Sequence, residues 1–128
     1  MAYYFSKTIP SDSLDEAVNK VADVLKTQGF GILAEIDFQK VLKAKLDVDY
    51  RPYKVLFACN PPAALKALNA DQYMGTLLPC NVIVQQAKSG FDVGIIDPVA
   101  AVKEVPSEVV QELSTEIKAK LQQALTDL

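Results

Sequence analysis

Cys80-Asn81-Val82-Ile83-Val84-Gln85-Gln86-Ala87-Lys88-Ser89-Gly90-Phe91-Asp92-Val93-Gly94-Ile95-Ile96 is the stretch on which the fold turns. Two runs rich in β-branched residues flank Lys88-Ser89-Gly90, and a short polar segment containing glycine between such runs is a hairpin signal. The spacing predicts strands over 80–87 and 91–96, antiparallel because a tight turn joins them. Asp97-Pro98 then breaks the second strand, since proline has no N–H for the ladder. A purely parallel sheet is excluded.

Working upstream, Tyr53 to Cys59 reads as another strand, with Tyr53, Val55, Phe57 and Cys59 on one face and Leu56 and Ala58 on the other. Asn60-Pro61-Pro62 ends it and starts a helix running to about Ala70, asparagine being a good N-cap and proline being tolerated in the first turn. Residues 71–79 read as a loop. Gly31 to Ile36 predicts a strand, and Asp37 can cap a short helix ending near Lys45, followed by a polar loop over 46–52. Residues 3–9 alternate, Tyr3, Phe5 and Ile9 against Tyr4, Ser6 and Thr8, as a strand with one buried face does.

Two long helices bracket these strands. Ser13-Leu14-Asp15-Glu16 is a capping box. Leu14, Ala17, Val18, Val21, Ala22 and Leu25 follow at amphipathic spacing, and Gly29 is a natural stop, giving a helix over about 13–28. The second covers about 106–127, with Val110, Leu113, Ile117, Leu121, Ala124 and Leu128 along one stripe. Each helix has one apolar stripe and needs one face of the sheet. The expected architecture is an α+β two-layer sandwich, a five-stranded mainly antiparallel sheet with both long helices on one face. Helix-grip and TATA-binding-protein-like topologies are the nearest named arrangements, in topology only. No repeat or linker divides residues 1–128, which read as a single domain.

Composition narrows function mostly by exclusion. Among 128 residues there is no histidine, which removes Ser-His-Asp and Cys-His catalysis and His-ligated zinc. A net charge of −3 is the wrong sign for a binder of phosphate backbones, so no nucleic-acid partner is expected. The first residues have no basic n-region with an apolar h-region, and no run approaches the roughly 18 apolar residues of a membrane span. A cytoplasmic protein without a membrane partner is expected, with Cys59 and Cys80 reduced. Neither cysteine lies in a C-x-x-C motif, and two thiols fall short of a structural zinc set, so no metal is expected.

The segments Tyr53-Lys54-Val55-Leu56-Phe57-Ala58-Cys59-Asn60-Pro61-Pro62-Ala63-Ala64 and Gly75-Thr76-Leu77-Leu78-Pro79-Cys80-Asn81-Val82, with Leu65-Lys66-Ala67-Leu68 and Ile96-Asp97-Pro98, resemble the domain-of-unknown-function 302 family. The resemblance extends from Tyr3 to the final helix. It implies a small cytoplasmic α+β domain, often dimeric and sometimes joined to sulfur-handling or redox domains. It implies no reaction and no cofactor.

If the strands at 53–59 and 80–87 are antiparallel neighbours, Cys59, Asn60, Cys80 and Asn81 meet at one end of the sheet, beneath a cap formed by 60–79. Cys59 also precedes a helix N-terminus, where the dipole lowers thiol pKa values. A thiol site would take persulfide sulfur, a soft metal or an oxidant. Free cysteine is equally at home as a small buried filler. The asparagines can hold a polar ligand, or cap a helix and satisfy a turn.

Other candidates are weaker. Asp47, Asp49 and Arg51 alternate in one loop but lack the glycine and glutamate of a calcium loop. Nothing puts any two of Glu35, Asp92 and Asp97 at acid/base separation. Gly29-Phe30-Gly31 precedes a strand and is no phosphate cradle. The five tyrosines lack interleaved basic residues. No catalytic residue is assigned, and an enzyme is the less favoured reading. Two functions remain: a non-enzymatic ligand-binding or interaction module, or a sulfur- or redox-handling protein using Cys59 and Cys80. A homodimer is expected as well, because the short helices look too small to cover the second face of the sheet.

Overall fold

The protein is described over residues 2–128 by a computed structural model. Strands β1 (Tyr4–Ile9), β2 (Gly31–Asp37), β3 (Tyr53–Cys59), β4 (Cys80–Gln86) and β5 (Phe91–Ile96) form one sheet in the order β1-β5-β4-β3-β2. Every pairing is antiparallel. Helices α1 (Leu14–Thr27) and α5 (Glu108–Thr126) lie together on one face. The expected two-layer α+β sandwich is the fold the chain adopts.

Local chemistry explains where these elements begin and end. Ser13 Oγ accepts from the Glu16 amide at 3.1 Å, and Ser107 Oγ from the Val110 amide at 3.3 Å. Both helices thus start on a side-chain cap. α1 stops at Gly29, whose φ of +84° lets the Phe30 amide return to the Leu25 carbonyl at 3.0 Å. Gly90 sits at φ +75° in the hairpin, where an added Cβ would collide with the Ile9 carbonyl. Lys7 reaches from β1 under the end of α5 and donates to the carbonyls of Leu125 and Leu128 at 3.3 and 2.6 Å.

The main core lies between the sheet and the two long helices. Leu25 and Leu121 from the helices meet Leu56, Val82, Val84 and Val93 from the strands, all without measurable exposure. At the same strand end as Cys59, Ala67, Met74, Val102 and Val110 form a second, smaller cluster.

Three features depart from the sequence reading. Residues 71–79 contain a 3₁₀ turn, Gln72–Thr76, where only a loop was expected. Asp97-Pro98 does more than end a strand, because Asp97 caps a one-turn helix, α4 (Pro98–Ala101). The two short helices also take different places. α2 (Phe38–Leu46) packs on β2 and β3, whereas α3 (Pro61–Ala70) packs on α5.

Candidate functional site

β3 leaves the sheet where β4 enters it, and the link between them is α3 followed by the 3₁₀ turn. Antiparallel pairing of β3 and β4 brings both junctions to one sheet end. A cavity of about 340 Å³ opens there, bounded by that link, α4 and the first half of α5. Cys59, Asn60, Cys80 and Asn81 all line it. Residues of both the main core and the smaller cluster line the cavity, and its walls are chiefly apolar.

The four residues are not equivalent. The ladder pairs Cys80 with Ala58, while Cys59 pairs with Gly31 of β2. The cysteines are therefore diagonal neighbours, one step out of register. Alternation along a strand sends successive side chains to opposite faces, and Cβ vectors that point apart do not support a bridge without backbone movement. Asn60 spends its side-chain oxygen on capping α3, accepting from the Ala63 amide at 3.2 Å. Asn81 pairs with Phe57 and is exposed, so it belongs to the rim.

A family model described as Domain of unknown function DUF302 matches residues 5–128. This chain belongs to that family. A crystal structure of an uncharacterized conserved DUF302 protein from Bacillus stearothermophilus superposes with a TM-score of 0.89. It covers 98% of both chains at 24% identity, which carries the fold and nothing about ligand or reaction. No functionally curated protein matches.

In this DUF302 chain Cys80 is poorly suited to act as a nucleophile. Burial pushes the Cys80 thiol from an ordinary 9.0 up to about 11, with a smaller push from neighbouring Cys59. Cys80 is thus protonated at neutral pH, and the protonated form is neither nucleophile nor metal ligand. Among the described residues no set of three or more Cys, Asp or Glu side chains is arranged to hold a metal.

The weaker candidates are engaged elsewhere. Lys43 holds both Asp47 and Asp49, at 3.0 and 3.1 Å. Arg51 lies over the Tyr50 ring, 4.6 Å from its centroid, and donates to Gln85 Oε1 at 2.9 Å. Glu35 pairs with Lys54 at 2.8 Å, and Asp92 accepts from Gln85 at 3.0 Å. Asp97 accepts from Lys118 at 2.8 Å through one oxygen and from the Val99 amide at 2.9 Å through the other. No two of Glu35, Asp92 and Asp97 face each other as an acid/base pair among these contacts.

Ser114 was missed by sequence reasoning. It interrupts the apolar stripe of α5, is only 6% exposed and lines the cavity. The signal was present as a serine between Val110 and Ile117 at helical spacing. The alanines Ala63, Ala64 and Ala67 entered the sequence reading only within the family-like segments, and they form the α3 wall.

Proposed function

We propose that this DUF302 chain is a single-domain, non-enzymatic binding module that holds a small molecule at the end of the sheet. The cavity carries this reading. Its 340 Å³ volume and apolar lining with a few polar side chains match the general character of ligand pockets. The candidate binding residues are Cys59, Asn60, Cys80 and Asn81. Cysteine chemistry with persulfide, a soft metal or an oxidant is the weaker reading, because protonated Cys80 and the offset register both work against it.

The working form is a cytoplasmic homodimer. Support comes from the sheet face opposite α1 and α5, where Phe57, Ile83 and Ile96 are only half-buried and Tyr4 is 48% exposed. A native mass spectrum of gently purified protein tests ligand and assembly together. The expected spectrum has two subunits and an added non-covalent mass, which is lost when the cavity is narrowed by Ala64→Phe. Bare subunits with no added mass, in both proteins and from several expression conditions, would overturn the reading.

A further inference from the structure

The cavity's walls specify more than its presence. Among the described residues none of its lining side chains is Asp, Glu, Lys or Arg. Asp97 and Lys118 adjoin lining residues in the chain, but they consume each other at 2.8 Å, and the second Asp97 oxygen is taken by α4 amides. A charged group brought inside would meet no counter-charge, and burying an unpaired charge is costly.

Small side chains create the space. Ala58, Ala63, Ala64, Ala67 and Ala101 line it where larger residues would close it. Against these stands one buried polar side chain. Ser114 donates its only hydroxyl hydrogen to the Gln111 carbonyl at 2.8 Å. What remains on that oxygen is acceptor capacity. Asn60 has already given its oxygen to the α3 cap.

We infer that the cavity takes an uncharged, predominantly apolar molecule bearing one N–H or O–H donor, which Ser114 Oγ accepts. This inference rests on the pocket reading above and adds to it the class of ligand and the residue that orients it. Ligand polarity follows from the lining alone: apolar walls desolvate the ligand body, and the serine oxygen rewards a donor over an acceptor at one point.

Two fluorescent probes sharing one scaffold separate the claims. N-phenyl-1-naphthylamine is neutral with one N–H donor, and 8-anilino-1-naphthalenesulfonate adds a sulfonate. The neutral probe is expected to bind one per subunit and the sulfonate at least about tenfold more weakly. Ser114→Ala should weaken the neutral probe about fivefold, the size of one hydrogen bond. Ala64→Phe and Ser114→Leu, checked for folding by circular dichroism, should abolish binding. Equal or tighter sulfonate binding that both filling variants abolish would overturn the uncharged class while leaving the pocket intact. An unchanged affinity in Ser114→Ala would overturn the donor contact. If neither probe binds wild-type protein, or folded filling variants bind as well as wild type, the pocket reading itself falls.

Discussion

At the scale of single residues, two titrating groups carry separable predictions. Cys80 holds its proton to about pH 11, chiefly through burial, whereas the unfolded thiol releases it near 9.0. Its contribution to stability is therefore complete below pH 9 and is lost as pH rises toward 11. In folded protein, iodoacetamide should label Cys80 negligibly at pH 9, where a free thiol reacts at half its plateau rate. Half-maximal labelling of Cys80 near pH 9, followed by peptide mass spectrometry, would contradict that. Asp97 has the opposite sign. Burial alone would raise its carboxyl, but the Lys118 hydrogen bond, the Val99 and Ala100 amides and the Lys118 charge outweigh burial and hold it below the ordinary 3.8. Its stabilisation is present above about pH 4 and fades as pH falls through the lowered value. Asp97→Asn should cost about 1–2 kcal/mol at pH 7, with the difference from wild type shrinking in urea titrations at pH 3. A constant difference across that range would remove the ion pair from the account.

At the scale of elements, two joints hold the layers together. Lys7 of β1 donates to the carbonyl end of α5, where the helix dipole favours a cation. Lys7→Met keeps the stem and removes the charge, and should lower stability by about 1 kcal/mol in chemical denaturation. The β4–β5 hairpin is stricter. Gly90→Ala combines a φ of +75° with a collision against the Ile9 carbonyl, so a loss of at least about 2 kcal/mol is expected. A neutral result would show that the turn relaxes. These joints also mark what could be read in advance. Tyr53–Cys59 and Phe91–Ile96 were legible to the residue because proline or glycine bounds them and apolar residues fill them. Pro98–Ala101 was not, since four residues are one turn and show no helical period. The convergence of Cys59 and Cys80 at one sheet end followed from strand polarity. Their one-step offset did not, because register depends on pairing across the sheet rather than on either strand alone. Ser114 escaped for a related reason: a lone serine in an apolar stripe reads as an imperfection until the neighbouring α3 wall gives it a cavity to face.

At the scale of the whole molecule, the two faces of the sheet are treated unequally. α1 and α5 pack on one face, and α2 packs on the β2–β3 part of the other. On that second face Ile83 lies against Gly94, whose missing side chain leaves 3.0 Å between an added Cβ and Ile83 Cγ1. Register puts Phe57 between Ala34 and Asn81, and Ile96 beside Tyr4. Tyr4, Ile96, Ile83 and Phe57 make an apolar band across β1, β5, β4 and β3, which the described elements leave partly exposed. An apolar band of this kind favours association when both copies can present it, because a two-fold axis lets one patch serve twice. Light scattering at micromolar concentration should therefore give twice the 14.0 kDa chain mass. Tyr4→Lys and Ile83→Lys would each bring two like charges toward that axis and should shift the mass to that of one chain. Far-ultraviolet circular dichroism should stay unchanged, because Tyr4 is 48% exposed and Ile83 is only half-buried. Ligand binding gives the independent readout, since the cavity lies between α3, α5 and the strand ends, meets this face at Asn81 and Ile96, and is lined by neither Tyr4 nor Ile83. A lysine variant that is monomeric yet binds the neutral probe normally would assign the open face to assembly and the cavity to the ligand. A wild-type mass of one chain would leave the band without its partner and overturn the dimer.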